Sequence, residues 1–213
     1  MELYKQISDA NRIKYGTEAE KILRIIINQY SDRTHFIYEI LQNAEDAGAT
    51  RIQFHLEKEK LVIEHDGRPF NEKDIEGVCG IANGTKEDGT RIGHFGIGFK
   101  SVYCYTEHPY IYSGAYHFVI QNQLFPKEVP GKQEIDYDET CMILPFDKGE
   151  VPSGIAYQEI RDALTKKITA ESIIMLNQIS DVRIKIDGYP EEIEINKAKY
   201  SLDKKAYADN VFG

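Results

Sequence analysis

Glu39, Asn43 and Asp46 stand four and three residues apart in the stretch "HFIYEILQNAEDAGA", residues 35–49. At about 100° per residue in a helix, those spacings put the three side chains within an arc of about 60°. Ile37, Ile40, Leu41 and Ala44 fall on the other side. A solvated acidic face would account for the two carboxylates, but it has no need of an asparagine between them. A second stretch, "GHFGIGFK", spaces Gly93, Gly96 and Gly98 so that backbone can approach a ligand closely where a loop passes into a helix or helical turn. Unpaired N–H groups and the helix dipole favour an anion at such a junction. The spacing is neither a Walker A loop nor the dinucleotide fingerprint.

Several elements must hold these residues. Ala19, Ile22, Leu23, Ile26, Ile27 and Tyr30 repeat at helical spacing and predict a first helix over 17–30, with the break "SDR" before the helix that carries Glu39. Ile52, Phe54 and Leu56 alternate with polar residues, and after "EKEK" the run "LVIEHD" ends in "GRPF", which reads as a two-stranded hairpin. A short helix is expected in "EKDIEGVCGIA", then the polar stretch "NGTKEDGTR". Strands are expected in "PYIYSGAYHFVIQ", a long proline-containing loop in "QNQLFPKEVPGKQEIDYDE" and a buried strand in "TCMILPF". A long helix around "YQEIRDALTKKITAESIIML" and a hairpin "DVRIKIDGYPEEIEIN", with Asp187 and Gly188 near its turn, follow. Helices followed by antiparallel strands, without regular βαβ alternation, argue for an α+β two-layer sandwich: a mixed, mostly antiparallel sheet with helices on one face.

The chain of 213 residues suits one large domain, and 41% hydrophobic with 29% charged residues suits a soluble core-forming protein. Lys and Arg number 26 against 35 Asp and Glu, a formal net charge of −9. Such a surface repels nucleic-acid backbones and anionic membranes at long range, while leaving room for a local basic pocket. Cys79, Cys104 and Cys141 form no metal-ligand spacing and read as small core residues in a reducing compartment. No apolar run is long enough for a signal core or a bilayer span, so a cytoplasmic location is expected, with neither nucleic acid nor membrane as a direct partner. The ending "ADNVFG" has no polar tail, and residues 1–213 read as a single domain forming the N-terminal part of a longer protein.

Together, "EILQNAEDAGA", "HDGRPF" and "GHFGIGFKSVY" resemble, in type, order and separation, the motifs of the gyrase, heat-shock chaperone, histidine kinase and mismatch-repair ATPase superfamily (GHKL), whose nucleotide domain has the Bergerat fold. Within it, "LQNAEDAGA", "GTK" and "GHFGIGFKSVY" are most similar to the sacsin and large heat-shock chaperone branch. The resemblance covers residues 35–146 and implies ATP and Mg²⁺ as ligands, with slow hydrolysis by the isolated domain. Glu39 then matches the carboxylate that positions and deprotonates the attacking water. Asn43 matches the asparagine whose oxygen completes the Mg²⁺ shell. Asp46 matches a position that orients the purine or ribose side through water, or else closes the helix before Gly48. Asp66 matches the aspartate that accepts the adenine amino group and so favours adenine over guanine. Thr140 matches the threonine joining Asp66 and a water at the adenine edge, or is an ordinary β-branched strand residue.

By the same resemblance Gly93, Phe95, Gly96, Ile97, Gly98 and Phe99 form the phosphate loop, with His94 a bystander. Thr85 and Lys86 match a lid over the triphosphate, with Arg91 a further lid candidate, and Lys100 would stabilise charge near the γ-phosphate. Lys86 and Lys100 read equally well as solvated side chains. "DGRPF" departs from the DxGxG pattern, Pro69 lacking a backbone donor, so the adenine loop is expected to follow its own path. The lid stretch is short. Dimerisation or downstream domains are the implied partners. A nucleotide-dependent switch or interaction module that does not hydrolyse stands as the alternative. A histidine kinase ranks below both, since no histidine precedes Thr17.

Overall fold

Strands form where apolar and polar residues alternate, and the clearest case is the hairpin of β1 (Arg51–Leu56) and β2 (Lys60–His65). The two pair antiparallel with Ile52 opposite His65 and Leu56 opposite Leu61. Every second residue of each is buried, so one face of the hairpin turns to the core. This computed structural model describes residues 2–18, 21, 23, 25, 32–81 and 98–197. Six further strands are β3 (Tyr110–Ser113), β4 (Tyr116–Gln121), β5 (Phe125–Glu128), β6 (Thr140–Pro145), β7 (Asp181–Ile186) and β8 (Ile193–Asn196). Among the described residues they make one eight-stranded sheet in the order β5-β4-β3-β6-β2-β1-β7-β8. All its pairs are antiparallel except β1 with β7.

Helices α1 (Glu2–Tyr15), α2 (Phe36–Asp46), α3 (Glu72–Cys79), α4 (Ser153–Lys166) and α5 (Ala170–Ile174) all send side chains into one cluster with the inward residues of the sheet. Ile40 of α2, Ile75 of α3 and Ile160 of α4 meet Ile63, Met142 and Ile184 there. The expected α+β two-layer sandwich, a mixed and mostly antiparallel sheet with helices on one face, is the architecture observed. The other face carries a smaller cluster of Tyr112, Cys141 and Ile143, with Val129, Ile135 and Tyr137 packed against it. No described helix is long and apolar enough to cross a membrane.

Three elements differ from the sequence expectation. Residues 2–15 form α1, whose short apolar side is completed by buried Ser8 and Asn11; the Asn11 amide donates to the carbonyls of Cys79 (3.1 Å) and Leu124 (2.8 Å). Part of the expected proline loop is strand β5, which tolerates Pro126 because it lies at the sheet edge. The expected long helix over 157–176 is two helices, α4 and α5. Thr169 begins α5 with a reciprocal capping box, its N–H donating to Ser172 Oγ and its hydroxyl oxygen accepting from the Ser172 N–H. Of the first helix expected over 17–30, residues 16–18 form a 3₁₀ turn, and 21, 23 and 25 are helical.

Candidate functional site

The polar line read on the helical wheel belongs to α2. Asp32 starts it by accepting from the Thr34 N–H (2.9 Å) and hydroxyl (2.7 Å), and a 3₁₀ turn over Arg33–His35 leads into the helix. Phe36, Ile37, Ile40, Leu41 and Ala44 are buried, and so is Asn43, only 2% exposed. Its Nδ2 has no hydrogen-bond partner among the described residues. A buried donor left so costs about 1–3 kcal/mol, and such groups in native proteins call for an explanation. Asp46, on the last turn of α2, is exposed.

One turn before Asn43, the Glu39 carboxylate is held from two sides. Its Oε1 lies 2.9 Å from His35 Nε2, and its side chain is 25% exposed. Its Oε2 lies against Gly98, where a Cβ would fall 1.8 Å away. Only glycine permits that approach. The last glycine of the loop is thereby brought against the carboxylate expected to act as base.

The far end of α2 meets the turn after β2. A Cβ on Gly67 would fall 3.0 Å from both Ala47 Cβ and His65 Nδ1, and the Arg68 N–H donates to the Ala47 carbonyl at 2.9 Å. His65 is 1% exposed; its Nδ1 accepts from the Gly67 N–H at 3.2 Å, while its Nε2 has no partner among the described residues. Across the sheet His65 is in register with Thr140, and Thr140 with Ser113. The hydroxyls of Thr140 and Ser113 are 2.6 Å apart, and Ser113 Oγ accepts from the Phe70 N–H at 2.8 Å. Three central strands thus end in a buried polar row on the helix-covered face.

Burial lowers the His65 pKa to about 4, against 6.5 for the ordinary side chain, although the neighbouring Asp66 opposes the shift. The unfolded chain therefore binds this proton first. Stability from His65 is complete above pH 6.5 and is lost as the pH falls toward 4, by at most about 1.4 kcal/mol per pH unit. Urea melts at pH 7.0 and 5.0 should show the loss, and His65→Leu should reduce it.

Asp66 takes a different place from the one expected at the adenine edge. Side chains alternate along an extended chain, so the residue after inward-facing His65 turns away. Its Oδ1 accepts from the N–H groups of Thr50 and Arg51, both at 2.8 Å, and its Oδ2 from the Thr50 hydroxyl at 2.6 Å. Burial would raise its pKa, but these hydrogen bonds outweigh burial and hold it below the usual carboxylate value. Asp66 therefore clamps the start of β1. Asp66→Ala is expected to cost about 2–3 kcal/mol, a fall of roughly 5–10 °C in Tm, with nucleotide affinity within about twofold of wild type; thermal melts and calorimetry check both.

Residues 17–67 and 58–141 match the Sacsin domain family. The chain belongs to that family. Human sacsin is 32% identical over 121 residues, spanning 47% of this chain and 3% of sacsin. Protein NO VEIN of Arabidopsis thaliana is 36% identical over 95 residues, 42% of this chain and 4% of that protein. Chaperone protein HtpG of Chlorobium chlorochromatii is 26% identical over 139 residues, 49% of this chain and 22% of HtpG. The alignments thus take in a small share of each relative's length. The N-terminal domain of a DNA repair protein superposes with a TM-score of 0.58 over 83% of this chain and 56% of that one at 15% identity, a likeness of fold.

In this sacsin domain Lys100 does not take the phosphate position expected of it. It is fully buried, its Nζ donating to the carbonyls of Val78 (2.7 Å) and Gln123 (2.6 Å) and lying 5.6 Å from the Tyr103 ring centre. The 3₁₀ segment Gly98–Cys104 turns Phe99 into the core as well, edge-on to Tyr103. Burial lowers the Lys100 pKa to about 8. The ammonium ties the end of α3 to the β4–β5 turn.

Thr85, Lys86, Gly93, Phe95, Gly96 and Ile97, together with Arg91 and His94, lie outside the described residues. The structure brings Glu39 to Gly98, and Thr140 to His65 and Ser113. Among the described residues no three His, Cys, Asp or Glu side chains cluster to hold a metal ion. An asparagine that shares Mg²⁺ with phosphates and water needs no such cluster. His35, His65 and Ser113 were not among the expected site residues. For His65 the signal was present: in "LVIEH" the inward positions Leu61 and Ile63 put His65 inside and Asp66 outside.

Proposed function

We propose that this sacsin domain binds ATP with Mg²⁺ and hydrolyses it, driving conformational change in a longer chaperone-like or defence protein. The observation that carries the proposal is the Glu39 carboxylate against Gly98 with Asn43 one turn further on, its Nδ2 without a partner among the described residues. From Glu39 to Ala47, α2 rises about 12 Å, enough to meet both the phosphates and the base of one nucleotide. The 26% identity to chaperone protein HtpG over 139 residues supports this reading.

His35 holds Glu39 Oε1, which leaves Oε2 to accept a proton from water as the water oxygen attacks the γ-phosphorus. The bond from that phosphorus to the β–γ bridging oxygen breaks, and ADP and phosphate leave. Catalysis of this kind is positioning and electrostatics. The Asn43 amide suits the metal: Oδ1 is a hard ligand, and Nδ2 can donate to a phosphate oxygen or a water. Bound there, Mg²⁺ would neutralise phosphate charge. Dimerisation or a following domain would complete the site.

Phosphate release with Mg²⁺ and ATP, measured beside ATP affinity, tests the reading. His35 is expected to act as a positioning residue. His35→Ala should lower kcat about tenfold with ATP affinity unchanged within about twofold, and His35→Gln should restore part of the rate. Equal losses in affinity and kcat would assign His35 to binding instead.

A further inference from the structure

Glu39 and Gly98 belong to different elements, and one carboxylate on a third element is bonded to the chain beside each. Glu159, on α4, accepts from the Arg33 guanidinium through Oε1 and from the Tyr105 hydroxyl through Oε2 at 2.7 Å. Arg33 opens the 3₁₀ turn that runs through His35 into α2, and Tyr105 directly follows the 3₁₀ segment that begins at Gly98. Arg33 also lies over the Tyr105 ring at 6.0 Å, and the Phe36 ring meets Tyr105 edge-on at 5.7 Å. Burial and the Glu159 carboxylate both raise the Tyr105 pKa, so the hydroxyl keeps the proton it donates. Lys167, just past α4, adds to the tie: its ammonium donates to Asp32 and, at 2.9 Å, to the Thr34 hydroxyl, and its carbonyl accepts from the Tyr38 hydroxyl at 2.9 Å.

We propose that Glu159 is a positioning residue that holds the start of α2 against the 98–104 segment, and so sets the space at Glu39 Oε2 in which the attacking water would stand. The inference rests on the hydrolysis reading above. Gly98 approaches Oε2 so closely that no side chain fits between them. A slide of one element along the other would therefore change the approach to the base, and a misplacement of about 1 Å can cost on the order of a hundredfold in rate. Folding depends on this carboxylate much less. Arg33 and Glu159 are partly exposed, where an ion pair adds little stability, and with Tyr105 they line an open cleft in which water can replace a lost partner.

The test is a double-mutant cycle on the whole chain, with single-turnover phosphate release and calorimetric ATP affinity both measured with Mg²⁺. Glu159→Ala should lower the rate about tenfold, with ATP affinity within about twofold of wild type. Glu159→Gln, whose amide oxygen still accepts, should recover part of that rate. Tyr105→Phe loses only the hydroxyl and should lose about threefold, which keeps the test decisive if Glu159→Ala melts early. Because Glu159 acts through the base, Glu39→Gln combined with Glu159→Ala should be no slower than Glu39→Gln alone. Wild-type rates in Glu159→Ala and Tyr105→Phe, or losses that multiply in the double variant, would overturn the positioning role and leave the hydrolysis reading standing. A wild-type chain that binds ATP and releases no phosphate would overturn the hydrolysis reading and this inference with it.

Discussion

Glu39→Ala is expected to cut phosphate release from ATP by about a hundredfold or more, the usual contribution of a positioned general base. ATP affinity should stay within about threefold of wild type, because the role proposed for the carboxylate is on the water. The geometry sharpens the expectation: one oxygen is held by His35 and the other stands against Gly98, so glutamine would keep the shape and lose the base. Glu39→Gln should therefore match alanine in rate and wild type in affinity. Single-turnover assays with protein in excess over ATP separate the chemical step from product release. Equal rates in wild type and both variants would mean that the domain binds without hydrolysing, and the nucleotide-dependent switch would take the place of the ATPase.

Lys100→Ala is expected to reduce stability by about 4 kcal/mol, and the balance of terms gives the sign. Loss of the ammonium leaves the carbonyls of Val78 and Gln123 without this donor, about 1–3 kcal/mol each, and emptying the site of its methylenes costs about 2–5 kcal/mol more. Against this, the drop in pKa from 10.5 to about 8 corresponds to about 3 kcal/mol of burial cost that the variant relieves. The loss wins, by roughly 8–16 °C in Tm for a domain of this size. Lys100→Met keeps most of the packing and should melt in between. A Lys100→Met protein that melts like wild type but no longer binds ATP would place the ammonium at the phosphates after all.

Lys100 also shows where the sequence stops informing. Its burial is decided by Val78 and Gln123, 22 and 23 residues away, whereas a local reading sees a lysine after a glycine loop. The α2 line was legible because one helix carries it and the apolar period fixes which residues face inward. Residue type within a motif points to Asp66, whereas the alternation of Leu61 and Ile63 points to His65 as the inward residue. Pro126 disguised β5, whose strand status depends on being the last strand of the sheet. Helix α1 has too few apolar residues to announce itself and uses Asn11 to bridge two distant carbonyls. The break before α5 was written in Thr169 and Ser172, a capping pair that an uninterrupted helix reading overlooks.

The most direct measurement is calorimetric titration of wild type and Asn43→Leu with ATP, with and without Mg²⁺. Asn43 is buried at the middle of the α2 line, its Nδ2 without a partner among the described residues, and leucine keeps the branching and heavy-atom count of the side chain without its polar atoms. Wild type should bind ATP more tightly when Mg²⁺ is present, by about tenfold or more, and Asn43→Leu should fold and lose that gain. Binding of equal strength in both proteins, or no binding in either, would contradict a nucleotide and metal site on this face of α2.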